Sequence, residues 1–255
     1  MFAQAMPAPK PKVIYITPIA NTFSSGDIEL LQERYRVVLN HYEWWNRDHL
    51  TPIYYILQFF FLLWHLPTSH ALVVSFGGYW ALLPSILGRL FGVPAYIILN
   101  GTDCAALPEI GYGILRKPYT RLVCQLCYRY ACKLLPVSPS LVHTKNHFIR
   151  PEAPSLQGLH HFFPSLQTPY EILPNGVDPQ FWQPDPSVVR EPKSFMTIML
   201  PGQFKLKGGD LVLEAAARLP DCHFYIAGLT AADPAMAVPQ NVVFLGFLEP
   251  QALRS

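Results

Sequence analysis

The sequence predicts an α/β protein made of two doubly wound parallel-sheet units, the second of them incomplete. Three observations carry this. Short apolar runs rich in β-branched residues, each cut off by Gly, Pro or Asn, alternate with stretches of helical periodicity, as parallel βαβ units require. The alternation stops at Leu173-Pro174-Asn175-Gly176-Val177-Asp178 and restarts after a Pro-rich stretch. Polar or Gly-containing turns follow several strands, where an open α/β sheet brings its backbone up to a ligand.

In chain order, residues 1–12 read as a Pro/Ala-rich leader and 13–17 (VIYIT) as a buried first strand ended by Pro18. A small-residue loop over 19–26, including Ser25 and Gly26, leads to a short helix over 27–35 and a second strand over 36–40. The apolar stretch 52–66 (PIYYILQFFFLLWHL) is too short to span a bilayer and is interrupted by Gln58. It reads most simply as a core-packing helix, with a peripheral membrane surface as the alternative. A third strand at 71–76, a helix at 81–91 closed by Gly92, and a fourth strand at 95–99 follow. That strand runs directly into Asn100-Gly101-Thr102-Asp103. A helix over 119–133 and a strand over 134–137 come next, then Ser138-Pro139 as the start of a helix to about residue 148.

A sixth strand at 170–173 ends the first domain, assigned 13–178, because Pro174 removes a ladder donor and Asn175-Gly176 suit positive φ. Residues 179–194 read as a packed-down linker. The domain from 195 to 255 shows strand (196–201), loop (202–209), helix (210–219), strand (223–227) and strand (242–245). Three strands and barely two helices cannot cover both faces of a parallel sheet, so the chain is expected to be a fragment.

Composition narrows the function. Of the 255 residues, 51% are hydrophobic and only 14% charged, with a formal charge of +2, so no nucleic-acid-binding stripe is present and partners rest on local sites. Twenty-six prolines, about twice the usual share, sit at element ends. The five cysteines are odd in number and three fall in one helical segment, which points to a reducing setting rather than a disulfide framework. Cys124-x-x-Cys127 lacks a second pair at zinc spacing, and His143-x3-His147 lacks a carboxylate, so no metal site is expected. Lysine precedes glycine in Lys207-Gly208, which excludes a Walker A loop.

Three motifs in order carry a resemblance: Asn175-Gly176-Val177-Asp178, the run Gly202-x4-Lys207-Gly208-x-Asp210-x3-Glu214-Ala215, and Asn241-Val242-x-Phe244-Leu245-Gly246. In these the chain past its leader resembles a family 4 glycosyltransferase of the GT-B fold. The resemblance implies two Rossmann-like domains facing a cleft, the first for an acceptor and the second for a nucleotide-sugar, with sugar transfer at retained anomeric configuration. It also implies a cytoplasmic enzyme of hexosyltransferase type, a glycan or lipid-linked acceptor, and no cofactor beyond the donor substrate. The inner face of the membrane is the alternative location.

On this resemblance Lys207 matches the family's diphosphate lysine, Gly202 and Gly208 frame the phosphate loop, and Gln203 stands where the family has arginine, with Lys205 as a substitute cation. Asn100 and Asp103 match the sugar-side turn, where Asn replaces a proton-exchanging His. Asp103 reads equally as a ligand contact or as the cap of its turn. Ser25, Gly26, Gly101, Asn175 and Gly176 are expected to shape the cleft and hinge. The family's acidic E-x7-E element would lie beyond Ser255, so this chain alone is expected to be inactive. A sugar-nucleotide epimerase and an inactive partner subunit are the alternative functions.

Overall fold

The computed structural model describes residues 9–19, 22–45, 47–149, 151–189, 191–232 and 236–254. The chain divides into two units, Met1–Gly176 and Val177–Ser255.

In the first unit the β-branched runs form a parallel sheet of five strands: β1 (Lys12–Thr17), β2 (Arg36–His41), β3 (Ala71–Ser75), β4 (Ala95–Leu99) and β5 (Lys133–Pro136), in the order β2-β1-β3-β4-β5. Ile14, Ile16, Leu72, Val74, Ile97, Leu99 and Leu134 are all fully enclosed, because a parallel sheet is covered on both faces. Helix α1 (Thr22–Arg34) joins β1 to β2. Helices α2 (Thr51–His65), α3 (Tyr79–Phe91) and α4 (Pro118–Tyr130) make the rightward crossovers. With α3 packed against both of the others, these three share one layer. The strand order reverses between β1 and β3, so the ends of these strands mark the switch point at which such sheets take ligands.

Beyond β5, residues Pro139–Leu141 make one 3-10 turn, capped by Ser138 Oγ, which accepts the Ser140 N–H. The chain then pairs antiparallel as β6 (Thr144–Asn146) and β7 (Ser155–Gln157), followed by a single turn α5 (Leu159–Phe162). The helix expected to run to 148 is therefore a hairpin, and His143 and His147 share no helical face. The sequence-distant Gln157 secures it, accepting the Ala106 N–H at 2.8 Å and donating to the Ala106 carbonyl at 3.1 Å. The expected sixth strand survives as a segment hydrogen-bonded along β5. Leu134 donates to the Pro169 carbonyl, Glu171 to that of Leu134 and Leu173 to that of Pro136, with one parallel bridge between Leu134 and Tyr170.

The second unit holds the parallel strands β8 (Ser194–Ile198), β9 (His223–Ala227) and β10 (Val242–Gly246) in the order β10-β9-β8, with helices α6 (Gly209–Arg218) and α7 (Pro250–Arg254). Its core is Met199, Leu213, Ala216, Phe224, Ile226 and Val242. Asn241 closes the helix from outside: its Nδ2 lies 2.8–3.0 Å from the carbonyls of Ala216, Leu219 and Cys222 at the end of α6. The Ala216 and Leu219 carbonyls also accept the N–H groups of Leu219 and Cys222, so Asn241 reinforces the turn that leads from α6 to β9.

Helix α2 does not pack as a core helix all round. Tyr54, Gln58 and Leu62 face the sheet, and its one amide side chain, Gln58, is fully buried. Gln58 Nε2 donates to Asn40 Oδ1 at 3.1 Å and to the Trp80 carbonyl at 3.0 Å. The residue that breaks the apolar run in the sequence is thus the inward anchor, and the apolar residues on the opposite side stay exposed.

Candidate functional site

The carboxyl edge of the first sheet is a set of turns locked to one another. After β3, Phe76 takes a left-handed φ of 62°, a conformation that costs a non-Gly residue about 1–2 kcal/mol. Trp80 offsets this by donating its indole N–H to the Ser75 and Phe76 carbonyls at 3.0 and 2.9 Å. Gly77 is pressed against Tyr128, so that an added Cβ would lie 2.2 Å from the phenolic oxygen.

Asp103 ties this turn to the one after β4. It is fully buried, and its two carboxylate oxygens accept the Gly77 N–H at 2.8 Å and the Gly101 N–H at 2.9 Å. Burial pushes its pKa up to about 6, against backbone hydrogen bonds that favour the ionised form. Of the two readings open for Asp103, the geometry supports capping: the carboxylate has no accessible surface to offer a ligand. Tyr128 adds a third tie by donating its hydroxyl to the Asp103 carbonyl at 2.8 Å. Gly101 sits at φ 122°, with Tyr112 close against it, a place where only glycine is unstrained.

Asn100 lies at the edge of this lock. It is half-buried, and its Nδ2 makes only long contacts, 3.4 Å to Ser75 Oγ and 3.5 Å to the Ile98 carbonyl. Beside it, Thr102 Oγ1 is buried without a hydrogen-bond partner among the described residues, a polar atom that an enclosed water would satisfy. Sequence reasoning passed over Thr102; only the orphaned hydroxyl marks it.

Ser25 and Gly26 stand in helix α1 rather than in a loop, since the helix begins at Thr22. The neighbouring Ser24 is buried, with its hydroxyl 3.2 Å from that of Thr17 at the end of β1, and Tyr15 donates to Asp27 at 2.8 Å. These bonds hold the first turns of α1 against the sheet. Asn175 and Gly176 are both exposed and neither has positive φ, so the residue types that suit a left-handed turn are used here in ordinary backbone. The neighbouring Asp178 makes the turn instead, its Oδ1 accepting the N–H groups of Gln180 and Phe181 at 2.8 and 3.2 Å.

In the second unit, the loop between β8 and α6 places five of the expected residues together. Gly202 and Gly208 both have positive φ, and the chain between them coils tightly: Lys207 donates to the Gln203 carbonyl, Gly208 to Lys205 and Gly209 to Phe204. Phe204 covers Gly209, where an added Cβ would meet the ring at 2.5 Å. Lys205 and Lys207 are exposed, and neither ammonium is bonded to another described residue. Gln203 is half-buried, its Oε1 turned back toward the Leu200 N–H at 3.5 Å. Alongside, Gly228 brings β9 so close that a Cβ would lie 2.5 Å from the Met199 carbonyl. The result is a glycine-lined strand-to-helix turn with two free cations, a form suited to a phosphate.

A feature absent from the sequence reading is a cleft of about 450 Å³ in the first unit. It is lined by Trp44, Trp45, Trp80 and Tyr119, with Arg116 and Lys117 among its walls. Residues 44 and 45 lie outside any regular element, and no local periodicity links them to residues 116–120 on α4 and the turn before it. Among the described residues no group of three His, Cys, Asp or Glu is placed to hold a metal ion.

No family model matches the sequence, and no curated protein matches it. Solved structures do. Sucrose-phosphate synthase from Thermosynechococcus elongatus aligns with 96% of this chain and 72% of its own, at a TM-score of 0.65 and 11% identity. Arabidopsis thaliana UGT89C1 complexed with quercetin covers 96% of this chain and 64% of its own, at 12% identity and a TM-score of 0.48, too loose for a structural argument. The first likeness establishes the fold: an α/β chain with parallel sheets of the GT-B type.

Proposed function

We propose that the chain serves glycosyl transfer, its second unit binding the diphosphate of a nucleotide-sugar and its first unit receiving a glycan or lipid-linked acceptor. The observation that carries the reading is the Gly202–Gly208 loop, where Lys205 and Lys207 present uncommitted ammonium groups ahead of the N-terminus of α6. A nucleoside diphosphate leaving the anomeric carbon gathers negative charge, and fixed cations with backbone amides stabilise that charge as it forms. The fold shared with a sucrose-phosphate synthase supports the same reading.

In this proposal Lys207 is the principal phosphate contact and Lys205 supplies the charge that Gln203 lacks. Asn100 offers a hydrogen bond to a sugar hydroxyl, and Asp103 holds its turn. Transfer would proceed with retention, as the motif resemblance implies. An inactive partner subunit is the second reading, favoured by one observation: Gln203 turns its side-chain oxygen back into its own loop and carries no charge.

Calorimetric titration of the chain with UDP, GDP and ADP tests the proposal. One of the three should bind, and Lys207→Ala should weaken it by roughly 10- to 100-fold, the worth of a charge-assisted hydrogen bond. Binding of none of them, or equal affinity in the variant, would sink the phosphate assignment.

A further inference from the structure

Helix α2 presents its apolar residues to solvent. Ile53, Ile56, Leu57, Phe60, Leu63 and Trp64 fall at helical spacing on the side opposite Tyr54, Gln58 and Leu62, and are 38–81% exposed, Trp64 the most. They form one contiguous apolar stripe along a helix about 22 Å long, the kind of surface that marks an interaction site. The first unit holds its own core without these residues, so the stripe is surplus to folding.

We propose that this stripe is a docking surface for an anionic lipid bilayer, with α2 lying in the plane of the interface. Charge is the first argument. Between residues 49 and 102 the sequence contains no Asp or Glu. At the C-terminal end of α2, Lys12 bonds Thr68, and burial together with the charges of Lys12 and Arg36 holds His65 below its usual range. At the other end, Arg116 and Lys117 line the aromatic cleft together with Thr51, the first residue of α2. Basic groups therefore flank the stripe at both ends, where acidic headgroups would meet them.

The second argument is chemical poverty. A protein partner is normally fixed by about one hydrogen bond per 100–200 Å² of interface. The outer face of α2 offers one donor, the Trp64 indole, and no acceptor side chain. Acyl chains ask for no such pairing, and an exposed tryptophan is the side chain best suited to the level of the headgroups. Among the described residues no helix is long and apolar enough to cross a membrane, so the geometry is that of a helix lying on the surface. The proposal stands apart from the donor-site reading, because no residue of the second unit enters it.

Flotation of the full chain with phosphatidylcholine vesicles containing about one-third phosphatidylglycerol, and with phosphatidylcholine alone, tests it. The chain should float with the anionic vesicles and stay behind with the neutral ones. The double variant Phe60→Gln/Trp64→Gln should lose at least tenfold in partitioning at an unchanged melting temperature, since both side chains already face solvent. As a check that needs no polar variant, acyl-brominated lipid should quench the fluorescence of the native chain more than that of Trp64→Phe. The proposal fails if the native chain does not float with anionic vesicles, or if the double variant floats equally well. It also fails if sedimentation shows a dimer that the double variant breaks while neither form binds lipid, which would make the face a contact between copies.

Discussion

The two glycine-bearing edges of the molecule are built for opposite purposes. In the first unit the turns after β3 and β4 are closed on themselves: Asp103 spends both carboxylate oxygens on Gly77 and Gly101, and Tyr128 seals the turn from below. In the second unit the loop from Gly202 to Gly208 spends its backbone on its own coil and leaves both lysines free. A charged residue in a strand-terminal turn therefore does not announce a ligand contact. What separates the cases is whether the charge is already used.

This contrast is exposed to direct attack, first at Asp103. Replacing it with Ala strands two buried N–H donors and should cost about 3–5 kcal/mol in urea unfolding, with any effect on nucleotide affinity following only from unfolding. A well-folded variant that had lost only ligand binding would reverse the assignment. Next comes Gly77→Ala, which forces a methyl into Tyr128 and should cost roughly 1–3 kcal/mol or more by the same measurement.

A pH series sharpens the comparison further. Burial raises Asp103 from the ordinary 3.8 to about 6, so the native state binds the proton more tightly than the unfolded one between these values. The contribution of this group is therefore fully present below pH 4 and lost as pH rises toward 6, the reverse of a salt-bridged carboxylate. Asp103→Ala should abolish that component of the pH dependence of stability. The smallest effect is expected at Gly176→Ala, where an added Cβ meets nothing within 4 Å and φ is not positive. There the variant should be neutral or more stable by about 0.4–1 kcal/mol, through a stiffer unfolded chain.

Much of this frame was legible in the residues. The strands at 95–99 and 223–227 are legible because each is a short, mostly apolar run with an Asn or Gly just beyond. The phosphate-loop candidates were legible for a similar reason: glycines and lysines close in sequence are close in space. Two features that local pattern does not show depend on residues far along the chain. Asp103 is enclosed by Gly77, 26 residues earlier. Residues 144–146 leave the helical pattern to pair with 155–157, which Gln157 fastens to Ala106, 51 residues away. Ser25 and Gly26 look like loop residues, yet α1 starts before them and Ser24 closes on Thr17. For 52–66 the core-packing reading fails on the outer side of α2, where Ile53, Ile56, Phe60 and Trp64 stand exposed. It was the single polar residue, Gln58, that faced the core.

The diphosphate site proposed for the open loop of the second unit is separate from the Asp103 turn, which holds the first unit together. Backbone amide NMR of the chain, titrated with the nucleoside diphosphate that binds it, tests this most directly. Shifts are expected at Gly202, Lys205, Lys207, Gly208 and Gly209, with Gly77, Gly101 and Asp103 unmoved. Shifts centred on Gly77 and Asp103, with the Gly202–Gly208 loop unchanged, would contradict it.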